Sequence, residues 1–83
     1  MKIVKINSLG CPSCIIMSKV FNQIKEKYEF ELEELDYDFD DIEKYSVGKI
    51  LPVFIFYKDD VEVKRLCGEH NIEEFIKIME ELK

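Results

Sequence analysis

Lys2-Ile3-Val4-Lys5-Ile6-Asn7-Ser8-Leu9-Gly10-Cys11-Pro12-Ser13-Cys14 is the stretch on which the fold turns. Lys2 to Asn7 is rich in β-branched residues and too short for a helix, which suits an inner strand carrying Ile3, Val4 and Ile6. Ser8-Leu9-Gly10 breaks that strand. From Pro12 onward Ile16, Met17, Val20, Phe21, Ile24 and Tyr28 recur at steps of three and four, with Lys19, Gln23, Lys25 and Lys27 on the other side. This spacing predicts an amphipathic helix that begins at the cysteine pair. Pro12 loses nothing in a first helical turn, and Lys25 and Lys27 suit the negative end of the helix dipole.

Downstream, Phe30 and Leu32 alternate with Glu31 and Glu33, and the apolar phase then slips to Leu35, Tyr37 and Phe39. The slip predicts a strand with a bulge or an early end near Glu34. Ile42, Tyr45 and Val47 allow one short helix before Gly48 and Pro52 punctuate a loop. The apolar run Val53 to Tyr57 reads as a strand buried on both faces, and the Lys58-Asp59-Asp60 turn leads antiparallel into a strand over Val61 to Leu66. Asn71 can cap a last helix, with Glu73 and Glu74 in its first turn and Ile72, Phe75, Ile76, Met79 and Leu82 on one stripe. The expected fold is α/β in the order βαβαββα, a mixed four-stranded sheet with helices on both faces.

The length of 83 residues is too short to divide, so residues 1–83 are expected to form a single domain. The chain is 47% apolar and 36% charged, and no apolar run approaches the ~18 residues of a spanning helix, which points to a soluble globule. Twelve basic against 18 acidic residues leave a net charge of -6, which repels nucleic acid and anionic membranes. The charged start Met1-Lys2-Ile3-Val4-Lys5 fails as a secretion signal, so a cytoplasmic location is expected. Three cysteines cannot close a disulfide framework, and in a reducing compartment a close pair signals redox or metal chemistry.

Cys11 occupies the expected helix cap, where free backbone donors and the positive dipole end stabilise a thiolate, moving its pKa from ~8.5 toward ~3.5 to 7.5. Cys14, three residues on, turns back to the same helix end and is more shielded. Cys11 is therefore the expected attacking sulfur and Cys14 the resolving one.

Three features together resemble the thioredoxin/glutaredoxin superfamily over nearly the whole chain. They are Cys11-Pro12-Ser13-Cys14 after a first strand, Ile50-Leu51-Pro52-Val53-Phe54-Ile55-Phe56-Tyr57-Lys58 as proline and buried strand, and Gly68 at the end of the hairpin. The resemblance implies a thioredoxin-like fold and thiol–disulfide exchange with protein or small-thiol substrates, without a cofactor. A reductase or glutathione would supply electrons, and the chain would act as a monomer. It also implies a cis bond before Pro52, and a substrate groove lined by Pro12, Ser13, Leu51, Pro52, Cys67 and Gly68. The chain departs from the family in several places. Gly10 stands where thioredoxins have tryptophan, Pro12-Ser13 replaces both Gly-Pro and Pro-Tyr, and Cys67-Gly68 replaces the paired glycines of glutaredoxins. Counting back six from Cys11, where thioredoxin keeps a buried acid, gives Lys5, so no internal general base is assigned.

A different class of function is a soft-metal protein, because strand, glycine, CxxC and helix also open small copper-binding domains. Those end in a strand, whereas Asn71 to Lys83 reads as helix. Cys67 and His70 could complete a Cys3His zinc set with the pair, although the gap between the halves far exceeds that of common zinc modules. Cys67 is otherwise read as a half-buried strand terminus, and His70 as exposed. Residues 28–43 hold nine acids and no base, read as a solvated face that blunts edge pairing. Asp36-x-Asp38-x-Asp40 suggests a calcium loop, but Asp41 and Val47 stand where glycine and glutamate are required, which excludes it.

Overall fold

The computed structural model describes residues 1–83. Its strands are β1 (Lys2–Asn7), β2 (Glu31–Asp36), β3 (Val53–Lys58) and β4 (Val61–Cys67), and its helices are α1 (Pro12–Lys27) and α2 (Ile72–Leu82). The four strands form one sheet in the order β2-β1-β3-β4. β1 runs parallel to β2 and antiparallel to β3, and β3 runs antiparallel to β4. The architecture is α/β with the expected mixed four-stranded sheet.

Because successive side chains of a strand point to opposite faces, the two central strands divide the core in two. On one face Ile3, Phe54, Phe56 and Leu66 meet Met17, Phe21 and Ile24 of α1 and Phe75, Ile78 and Met79 of α2. The Phe75 ring stands edge-on to Phe54 with centroids 4.9 Å apart, a geometry that adds about 0.5–1.5 kcal/mol to area burial. On the other face Val4, Ile6, Val53 and Ile55 pack with Tyr45, supported by Leu35, Tyr37, Ile42, Val47 and Leu51.

Several expectations need correction. The short second helix is a single 3-10 turn, Glu43–Tyr45, closed by Ser46 in the left-handed region. Both α-helices therefore share one face, and the other is covered by this turn and its flanking loop. Ser46 in the left-handed region ends the helix after this one turn, in which Tyr45 is buried, with Ile42 and Val47 packed partly buried beside it. β2 has no bulge near Glu34, since its register against β1 runs unbroken from Glu31 to Asp36. The apparent slip is a change of face: Phe30 and Leu32 pack on the helical side, Leu35 and Tyr37 on the other. The register shift of the sheet lies instead between Phe56 and Tyr57 in the β3–β4 ladder. Ile16 does not join the buried stripe of α1, which is Cys14, Met17, Phe21 and Ile24, while Ile15 and Ile16 face solvent.

Local chemistry explains the connections. Asp59 and Asp60 turn the hairpin with φ of 53° and 63°, the left-handed pair that matches strand twist. Asn71 Oδ1 accepts the Glu74 amide at 2.9 Å and caps α2. Acids at and just past the end of β2 act as local acceptors: Asp36 Oδ1 takes the Asp38 and Phe39 amides, and Asp40 Oδ2 takes the Asp36 amide. No helix is long and apolar enough to cross a membrane.

Candidate functional site

The parallel β1–β2 pair ends where α1 begins, so the C-terminal edge of the sheet collects the chemistry-bearing residues. Gly10, with φ of 74°, makes the left-handed step that a side chain would resist. Cys11 follows as the N-cap of α1 in extended conformation. Its Sγ accepts the Cys14 amide at 3.2 Å, and its carbonyl accepts the Cys14 and Ile15 amides. Pro12 opens the helix without wasting a donor. The Sγ atoms of Cys11 and Cys14 are joined, with Cα atoms 5.2 Å apart, inside the range disulfides adopt. Cys11 is half-buried and Cys14 is buried, so Cys11 is the more accessible residue of the pair.

The Leu51–Pro52 peptide bond is cis, and Pro52 is buried while Leu51 is half-buried. The Pro52 carbonyl accepts the Gly68 amide at 2.8 Å. Gly68 takes φ of +82°, and a Cβ there would stand 3.0 Å from Ile50 Cγ2, so a side chain at this position would be strained. The next residue closes a circuit that the sequence does not reveal: Ser13 Oγ donates to Glu69 Oε1 at 2.9 Å. The His70 amide also meets Met17 Sδ at 3.3 Å. Pro52, Gly68, Glu69 and Ser13 are thereby linked around the cysteine pair.

Cys67 is exposed rather than half-buried, because it ends an edge strand whose outer face has no helix over it. His70 is half-buried, with Nδ1 2.6 Å from Glu74 Oε2 and Nε2 2.9 Å from the Cys67 carbonyl. Both ring nitrogens are engaged, and no three His, Cys, Asp or Glu side chains are grouped so as to hold a metal ion. The Cys3His grouping of the pair with Cys67 and His70 is not formed.

Beneath the pair lies Lys5, the one buried charged residue, at 6% exposure. Its Nζ donates to Ser18 Oγ at 3.0 Å, and Ser18 Oγ donates to the Cys14 carbonyl at 2.9 Å. Burial pushes the Lys5 ammonium below the usual lysine range, opposed by Glu34 and reinforced by Lys25. The position was legible by counting from Cys11. Its contact with Ser18 was not, since Ser18 reads only as a polar residue on the helix.

The arrangement supports thiol–disulfide exchange. An open sulfur at a helix N-cap can ionise, and a shielded sulfur within bonding distance can displace whatever attaches to it. The sequence matches no family model and no curated protein. The fold is similar to solved thioredoxin structures. A thioredoxin of Fasciola hepatica is 32% identical, with a TM-score of 0.80 over 99% of this chain and 80% of that one. Thioredoxin 1 of Thermosipho africanus is 23% identical, with a TM-score of 0.85 over 98% and 92%. The reduced thioredoxin pre-protein of Schistosoma mansoni is 21% identical, with a TM-score of 0.85 over 99% and 78%.

Proposed function

The chain belongs to the thioredoxin-like superfamily and is a thiol–disulfide oxidoreductase in that general sense, and we propose that its substrates are disulfide-containing proteins or small disulfides. The observation that carries the reading is Cys11 at the N-cap, its Sγ already accepting the Cys14 amide and joined to Cys14. In the reduced protein the same amide and the helix dipole stabilise a Cys11 thiolate. That thiolate attacks a substrate disulfide and forms a mixed disulfide. Cys14 then attacks Cys11 Sγ, restores the internal bond and releases the substrate thiol.

Pro12 and Ser13 border the attacking sulfur, and Leu51, Pro52, Cys67 and Gly68 form the opposite wall of the substrate groove. A bound segment would pair with backbone beside Pro52. Residues 1–83 work as one domain, as a monomer in the cytoplasm, with a reductase or glutathione as electron donor and without cofactor or metal.

Alkylation across pH, resolved by peptide mass spectrometry, tests the roles. Cys11 should react well below the ordinary cysteine range and faster than Cys14. In a disulfide reductase assay Cys11→Ser should abolish turnover, and Cys14→Ser should leave long-lived mixed disulfides. A faster Cys14 would reverse the assignment.

A further inference from the structure

The exchange chemistry above makes no use of Lys5, although burying a cation is costly. The side chain leaves β1 on the face covered by α1 and passes the Phe21 ring, with Nζ 5.5 Å from its centroid. Its hydrogen bond to Ser18, and Ser18's to the Cys14 carbonyl, hold the ammonium about one helical turn below the redox pair. The charged groups around it are few. Glu34 of β2 approaches to 3.9 Å with a carboxylate that is 55% exposed, Lys25 of α1 opposes the ammonium, and β3 sets Phe54 across from it. No ion pair to α2 or β3 is formed. Its one anionic partner in the oxidised protein is therefore a distant carboxylate that faces solvent.

Cys14 is 5% exposed, and a thiol so enclosed resists ionising, yet it must become a thiolate to resolve a mixed disulfide. We infer that Lys5 is a positioning residue that supplies the positive charge against which the Cys14 thiolate forms. The inference rests on the proposed role of Cys14 as the resolving sulfur. In that step the Cys14 proton leaves to water or to a neutral Lys5 amine. The thiolate pair forms the Cys14–Cys11 bond, and the Cys11–substrate bond breaks with its electrons on the substrate sulfur, which takes up a proton. The dithiol is oxidised and the substrate disulfide is reduced. The reacting state is thiolate beside ammonium whichever group first held the proton.

Rapid-quench mixing of the reduced protein with Ellman's reagent between pH 6 and 9 tests this. Mass spectrometry of digested samples follows the adduct at Cys11 separately from any adduct at Cys67. In Lys5→Met the Cys11 adduct should decay about tenfold more slowly at pH 7, with its rate–pH profile displaced upward by about one unit, the low end of the effect of an adjacent opposite charge. Lys5→Arg should recover most of the rate and the wild-type profile. Decay of the Lys5→Met adduct at the wild-type rate and profile overturns the inference. Equal slowing in both variants with no displaced profile marks a packing defect and overturns it as well. A wild type that forms no Cys11 adduct, or forms one that never resolves, overturns the oxidoreductase assignment and this inference with it.

Discussion

A buried ammonium beside one half-exposed carboxylate should lower the stability of the oxidised protein at neutral pH. Removing one partner of a buried ion pair destabilises when the other charge is left buried, but the Glu34 carboxylate is exposed and keeps its hydration, so Lys5→Met should raise the urea midpoint. The pH dependence has a definite sign. The folded-state pKa of Lys5 lies below the unfolded value near 10.5. As pH rises through the folded value toward 10.5, the unfolded chain holds more protons, and wild-type stability rises. The advantage of Lys5→Met should therefore shrink over that window, as read by urea unfolding of the oxidised proteins at stepped pH. A variant less stable than wild type at pH 7 would show that Lys5 is structural. The same residue illustrates what one-dimensional reading can and cannot reach. Counting from Cys11 singles out Lys5, and the chemistry of the CxxC pair names both sulfurs. The Ser13–Glu69 bond joins residues far apart in the chain, and no local propensity encodes it.

At the scale of elements, α2 depends on its ends. Asn71 caps the helix through the Glu74 amide, and Asn71→Ala should cost about 1 kcal/mol, measurable by denaturant unfolding. A second tie joins the helices: Tyr28 Oη, just past α1, donates to Glu80 Oε2 at 2.6 Å. The bond to Glu80 holds the Tyr28 hydroxyl above its ordinary pKa, and the same bond holds the Glu80 carboxyl below its own. The contribution is present above the usual glutamate value of 4.5 and is lost as pH falls through Glu80's lowered one. At the alkaline end it is lost as pH rises through Tyr28's raised value, above 10. In Tyr28→Phe the Glu80 carboxyl should titrate closer to 4.5, followed by carboxyl-carbon NMR. The strands and both helices were legible because their apolar periods are long and capped. β2 misleads because it changes the face it buries halfway along, which mimics a slipped register. The 42–47 segment has the spacing of a helix, but Ser46 in the left-handed region ends it after one turn. In α2, Ile78 joins the core beside the expected Phe75 and Met79, since two packed neighbours widen the buried stripe.

Over the whole molecule, the topology sets the C-terminal end of β1, the N-terminal end of β3 and the C-terminal end of β4 at one edge of the sheet. This brings Cys11 and Cys14, Leu51 and Pro52, and Cys67 to Glu69 together, although long stretches of sequence separate them. Metal binding competes with redox exchange for the same two sulfurs. Redox exchange needs the pair to open and close as a two-electron unit while Cys67 stays outside it. A redox-buffer titration with differential alkylation, read peptide by peptide by mass spectrometry and paired with metal analysis of the same purified sample, separates these outcomes. Cys11 and Cys14 should convert together along a single two-electron curve, reversibly, in metal-free protein. Stoichiometric zinc whose removal by chelator unfolds the chain, or failure of the two sulfurs to re-form their bond after reduction, would contradict the assignment.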